Sequence, residues 1–143
     1  MEVTVIQLKK IDIDEIGCHL ILEAKIEGEF IRLVLDTGAS RTVIHSGFFD
    51  VELIPEKEKS IGVGSSDLES YQISIALMQI GALNLVDYKV ASMDLTNVIE
   101  SYKKLELEPV HGVLGGDILE KYQATIDYKN HLLTLCLNEP EAS

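Results

Sequence analysis

The stretch Leu33-Val34-Leu35-Asp36-Thr37-Gly38-Ala39-Ser40 decides the reading of this chain. Three apolar residues, read as the end of a buried strand, run straight into a carboxylate. Thr37-Gly38-Ala39-Ser40 follows, small and polar and suited to a sharp turn. A strand that ends on an aspartate and then turns delivers that carboxylate to the floor of a cleft, on a rigid element. Gly38 lets the chain turn with no Cβ in the way. Thr37 and Ser40 carry hydroxyls able to hold the carboxylate in place by hydrogen bonding. An Asp-x-Gly also closes many ordinary strands, but the apolar approach and the Ala-Ser continuation favour a reactive loop.

The sequence on either side reads as mostly β. His19 to Ile26 alternates, with Leu20, Leu22, Ala24 and Ile26 on one face. Glu27-Gly28-Glu29 predicts a tight hairpin, from which Phe30 to Leu35 returns as a second strand. Thr42-Val43-Ile44 is a further short strand, and Gly47 to Phe49 a turn or brief helix. Glu52 to Ser60 reads as a polar connection around Pro55, and Gly62-Val63-Gly64-Ser65 as a glycine-rich tip between strands. Ile73, Ile75 and Leu77 recur with period two; Gly81-Ala82 and Val86-Asp87 predict breaks between later strands. Asn97 to Leu105 is a helix candidate ending near Pro109. Val113-Leu114 is a short apolar strand before Gly115-Gly116, with Asp117 expected to cap a helix reaching about Tyr122. Gln123 to Tyr128 and Leu132 to Leu137 form a closing hairpin in which Asp127 reads as structural. This pattern suits a closed or partly closed barrel and a half-open sandwich equally.

Length and charge narrow the function. The 143 residues fit one domain, with residues 1–17 as a possible extra N-terminal strand or arm and 139–143 as a tail. A hydrophobic share of 46% supports a real core rather than disorder. No apolar run reaches membrane-span length, and the start lacks a signal-peptide layout, so a cytoplasmic protein with no membrane partner is expected. The net charge of −12 speaks against nucleic acid, whose phosphates need a basic face. Cys18 and Cys136 are expected to be reduced. His19, His45, His111 and His131 show no metal-ligand grouping and read as polar surface or strand-edge residues. No metal and no cofactor is implied.

Three features stand in the order used by small retropepsin-like aspartic peptidases, which the chain resembles from about Leu20 to Leu137. They are Asp36-Thr37-Gly38-Ala39-Ser40, the glycine-rich segment around Gly62-Val63-Gly64-Ser65, and Val113-Leu114-Gly115 before a short helix. The resemblance implies a mainly β, closed retropepsin-like barrel with one short C-terminal helix. It makes Asp36 the catalytic residue, supported by Thr37, Gly38 and Ser40. Gly38, Ala39, Val63, Gly64, Val113 and Leu114 would bind substrate, with residues 62–65 as the tip of a flap.

Such chemistry uses two carboxylates sharing a proton, because two so close cannot both ionise. One activates water as a base, and the other donates to the scissile carbonyl. The chain holds one Asp-Thr-Gly and no internal repeat. The second carboxylate must therefore come from a second copy across a two-fold axis, making the expected enzyme a homodimer. Its substrate would be an extended polypeptide held by main-chain hydrogen bonds. The alternative is a dimer of the same fold that clamps peptides with little or no hydrolysis.

Overall fold

The computed structural model describes residues 2–49, 54–55 and 70–138. The glycine-rich tip at 62–65 and the tail at 139–143 lie outside the described residues. So do the side chains of Ile54 and Pro55.

The alternating run before Asp36 forms β3 (Cys18–Ile26) and β4 (Glu29–Leu35), paired antiparallel. Glu27 and Gly28 both take positive φ, 49° and 86°, which suits the twist of a tight hairpin. Four further elements carry the chain to its middle: β5 (Val43–His45), a single turn of 3-10 helix at Ser46–Phe48, β6 (Ile54–Pro55) and β7 (Ser70–Ile80). Then come β8 (Leu83–Met93), α1 (Thr96–Lys104), β9 (Gly112–Leu114) and α2 (Gly116–Lys121). The chain closes with β10 (Thr125–Asp127) and β11 (Leu132–Cys136), the expected final hairpin.

Six strands close a barrel in the order β3-β4-β9-β5-β8-β7, with β7 returning to pair with β3 at Lys25–Gln79 and Ile26–Met78. That closure resolves the choice left open by periodicity: the molecule is a barrel. Its interior is filled by Leu22, Ile31, Leu33, Ile44, Ile75, Met78, Ile80, Val90 and Leu114, with Ile118 of α2 and Leu133 and Leu135 of β11 against them. A second, smaller core lies on the outer face of the barrel, where Tyr102 of α1 packs with Ile11, Ile21, Val34 and Val110. The mid-chain helix candidate is thus a real helix, additional to the short C-terminal one.

Residues 1–17, read as one strand or an arm, contain two strands. β1 (Val3–Gln7) pairs with β11, and β2 (Lys9–Asp12) pairs with β3. The N-terminal segment therefore links the terminal sheet β1-β11-β10 to the barrel.

The break expected at Val86-Asp87 is a kink inside a continuous strand. Asp87 takes φ 50°, a conformation that aspartate tolerates better than most residues. Inward-facing positions shift phase there: Leu83 and Leu85 are buried before it, Tyr88 is half-buried and Val90 buried after it. Opposite the kink, Glu27 takes over ladder bonds of β7. Its Oε1 accepts from the Ala76 N–H at 3.2 Å, and its own N–H donates to the Leu77 carbonyl at 2.9 Å.

Candidate active site

β4 ends at Leu35, and the next residue, Asp36, is pinned at once. Its N–H donates to the Leu114 carbonyl at 3.0 Å, continuing the parallel pairing of β4 with β9. The Asp36 carbonyl accepts from the Ala39 N–H at 3.2 Å, and its Oδ1 accepts from the Gly38 N–H at 3.0 Å. Oδ2 has no hydrogen-bond partner among the described residues, so the half-buried carboxylate keeps open acceptor capacity. A Cβ at Gly38 would approach Oδ1 to 3.3 Å, so glycine there leaves room for the acid.

Thr37 and Ser40 are exposed, and neither hydroxyl bonds anything among the described residues. Within one chain the Gly38 N–H orients Asp36, in place of the hydroxyls read from sequence. The hydroxyl that anchors the loop is that of Thr42, which is fully buried. Thr42 Oγ1 donates to Asp117 Oδ1 at 2.8 Å and accepts from the Gly115 N–H at 3.1 Å. The Thr42 N–H also donates to Asp117 Oδ1, at 2.8 Å. Sequence reasoning missed Thr42 because its partners lie more than 70 residues away.

Asp117 is therefore not the helix cap it resembles. Gly115 occupies the N-cap position of α2, and Asp117 sits within the first turn. Its second oxygen, Oδ2, accepts from the Tyr88 hydroxyl at 2.9 Å. Burial, then the neighbouring Asp117 carboxylate, hold the Tyr88 phenol well above the usual tyrosine range, so it stays a donor. Asp127 matches its structural reading, accepting from Asn130 N–H and Nδ2 at 3.0 and 2.9 Å.

Two glycines, Gly112 at the start of β9 and Gly115 just after it, are needed for close approach. A Cβ at Gly115 would meet the Arg41 carbonyl at 2.5 Å, and one at Gly112 would strike the Val43 carbonyl. Gly116 N–H then reaches the Ala39 carbonyl at 2.7 Å. Backbone contact between the Asp36 loop and the β9–α2 corner thus depends on absent side chains.

Of the residues read as substrate-binding, Gly38 is exposed, and Ala39 and Val113 are half-buried beside the loop. Val63 and Gly64 lie outside the described residues. Leu114 is a correction: it is 0% exposed and belongs to the barrel core, because inward and outward positions alternate along β9. Val43, which pairs with Val113 across β5 and β9, is also half-buried, and Val113 packs against the edge of the second core.

Beyond that pair, the connection from α1 into β9 is clamped by histidine. His111 N–H donates to the Arg32 carbonyl at 2.8 Å, and His111 Nδ1 accepts from the Arg32 N–H at 3.0 Å. Burial, then the nearby Arg32 guanidinium and the His45 ring, depress the His111 pKa. His45 Nδ1 accepts from the Leu95 N–H at 3.0 Å, and His19 Nδ1 contacts the Tyr102 hydroxyl at 2.5 Å. These three histidines are half-buried structural groups. No His, Cys, Asp or Glu cluster among the described residues has metal-binding geometry.

Comparison with solved structures gives the same architecture. A retropepsin-like aspartic protease from Rickettsia conorii superposes with TM-score 0.55 at 18% identity, covering 94% of each chain. The retroviral protease-like domain of Ddi1 from Leishmania major superposes with TM-score 0.56 at 15% identity, over 85% of this chain and 90% of that one. No protein-family model and no curated protein sequence matches the chain. The fold is retropepsin-like.

Proposed function

We propose that this protein is a homodimeric aspartic endopeptidase in which Asp36 meets Asp36 of the partner subunit. One observation carries the reading. Asp36 is clamped through its backbone to β9, yet one carboxylate oxygen is left without a partner among the described residues. A purely structural carboxylate at a turn is usually consumed by local donors, as Asp127 is. An acid kept rigid and unsatisfied suits a proton-sharing pair.

In the dimer, the ionised carboxylate takes a proton from water as that water attacks the peptide carbonyl carbon. The protonated one donates to the carbonyl oxygen. The tetrahedral intermediate collapses as its C–N bond breaks and a proton passes to the leaving nitrogen. Thr37, exposed and without a partner among the described residues, is free to brace the opposite loop. The extended substrate would lie against Gly38 and Ala39, with Val43 and Val113 offering apolar contact.

Light scattering and cleavage of a denatured protein at about pH 5, within the range where such a pair titrates, test the reading together. A dimer that cleaves, and stops cleaving as Asp36→Asn, supports it. A strictly monomeric mass across pH 4 to 7 sinks it. A dimer that binds the denatured protein without hydrolysis points to the peptide-clamping alternative.

A further inference from the structure

Tyr88 lies on β8, and nothing in the reaction described above uses it. Two residues, Asp117 and Thr42, connect it to the C-terminal end of the Asp36 loop. Tyr88 hydroxyl donates to Asp117 Oδ2 at 2.9 Å. Asp117 Oδ1 accepts from both the N–H and the hydroxyl of Thr42 at 2.8 Å. Thr42 hydroxyl in turn accepts from the Gly115 N–H at 3.1 Å. β8 holds Thr42 from a second side too, because the Ala91 N–H donates to the Thr42 carbonyl at 3.2 Å.

We infer that Tyr88 is a positioning residue for the reaction, its hydroxyl acting through Asp117 to fix Thr42 and so the C-terminal anchor of the Asp36 loop. This rests on the peptidase reading given above.

The division of labour on Asp117 is the reason. One carboxylate oxygen serves the loop and the other serves Tyr88, so the plane of the carboxylate is fixed by donors at both ends. Without the phenol donor, Oδ2 is a half-buried anionic oxygen with an unmet bond, and burial makes that costly. The carboxylate then turns to find water or another donor. Its Oδ1 cannot turn without releasing Thr42, which is fully buried and has no room to follow. A misplacement of about 1 Å at a reacting group can cost on the order of 10²-fold in rate. The kink at Asp87 is what aims Tyr88 inward, since strict alternation from Leu85 would point position 87 inward instead.

Because the phenol is held protonated by burial and by Asp117, it contributes a fixed hydrogen bond and no titration of its own. The signature is therefore a fall in kcat that is the same at every pH, with the shape of the pH profile kept.

Tyr88→Phe keeps the ring and removes the donor. We expect kcat to fall about tenfold with KM within twofold, as positioning effects do. Amide hydrogen exchange at Thr42 and Gly115 should rise about tenfold, while circular dichroism and dimer mass stay as in wild type. Asp117→Asn should keep kcat within about threefold. Its Oδ1 still accepts from Thr42, and its Nδ2 can donate to the Tyr88 oxygen, since a hydroxyl serves either way. Adding Tyr88→Phe to Asp117→Asn should restore the tenfold loss.

Unchanged kcat in a folded Tyr88→Phe overturns the inference, even where exchange rises, because the bond is then only structural. A lower kcat without faster exchange at Thr42 overturns the route through Asp117. A fall in kcat accompanied by a new titration limb also counts against it. Should Tyr88→Phe fail to fold, Asp117→Asn decides: a tenfold loss there, with Tyr88 intact, overturns the exchange of donor roles. A wild-type dimer that cleaves nothing is a failure of the peptidase reading, seen before any variant is compared. In that case unchanged exchange in Tyr88→Phe separately removes the strut.

Discussion

The turn after β4 and the turn after β9 are written in much the same residues, yet the molecule uses their carboxylates in opposite ways. Each lies where a short apolar strand meets small residues: Leu33-Val34-Leu35 before Asp36 with Thr37-Gly38-Ala39-Ser40 after it, and Val113-Leu114 then Gly115-Gly116 before Asp117. Among the described residues, Asp36 accepts one side-chain hydrogen bond, from its own loop. Asp117 accepts three, from two residues distant in sequence. A saturated carboxylate is a structural member, and an unsaturated one on the same scaffold is available for chemistry. The difference is made by who arrives from elsewhere in the chain.

The largest expected effect comes from exchanging each acid for its amide. Asp36→Asn should lower cleavage of a denatured protein by about 10²–10⁴-fold, the range for loss of an acid–base group, with fold and dimer kept. Asp117→Asn should leave it within about threefold. Circular dichroism, dimer mass and cleavage on the same preparations check this. Wild-type cleavage in Asp36→Asn would remove the distinction between the two acids, and loss of folding would make Asp36 structural as well.

A second pair of substitutions tests the strand beneath. Leu114→Ala empties a fully buried site and should cost about 2–5 kcal/mol in urea unfolding. Val113→Ala, one residue earlier on the opposite face, should cost about 1 kcal/mol or less. Its effect should fall on cleavage preference instead. Equal costs would mean that β9 does not divide core from cleft as the alternation requires.

Much of this was legible in the sequence. Period-two runs located β3, β4, β7 and the final hairpin, and the motif order predicted the barrel. Asp36 stood out because its whole signal is local: an apolar strand, then small residues. The misses have a common cause. Asp117 has the local look of a helix cap, and only the approach of Thr42 and Tyr88 shows that it holds the loop. Leu114 was read as lining because one sequence cannot say which face of a three-residue strand turns inward. The Val86-Asp87 break was real as a change of phase, but cross-strand pairing with β7 carries the strand through it.

A smaller effect is expected from pH, acting on the β9 side. His111 Nδ1 accepts from the Arg32 N–H, so the folded form holds the imidazole neutral, beside the Arg32 guanidinium and His45. Glu108, the neighbouring acid, is engaged with Arg32. The folded-state pKa lies below the ordinary 6.5, so below that value the unfolded chain binds more protons. The stabilisation is complete above about pH 6.5 and is lost as pH falls toward and through the depressed value. Thermal midpoints of wild type should decline across that window, and those of His111→Gln, which keeps an acceptor but cannot protonate, should decline less. Parallel curves would show that His111 plays no part in acid sensitivity. The Asp36 turn carries no such imidazole, so any acid lability should appear first in exchange of the Arg32 and His111 amides.

The smallest effect concerns the kink that brings Tyr88 to Asp117. Asp87 holds φ 50°, which costs little for aspartate and more for a β-branched residue. Asp87→Gly should change stability by no more than about 0.5 kcal/mol, because glycine adopts this conformation freely but enlarges the entropy of the unfolded chain. Asp87→Val should cost about 1–3 kcal/mol through strain at the same position. It should also relax the strand toward regular alternation, drawing the Tyr88 hydroxyl away from Asp117. Urea unfolding reads the first consequence, and amide exchange at Thr42 reads the second. Faster exchange at Thr42 in Asp87→Val but not in Asp87→Gly would tie the saturation of Asp117 to one backbone angle 30 residues earlier in the chain. Equal exchange in both would mean that packing around Tyr88 sets its direction, and that the kink merely accompanies it.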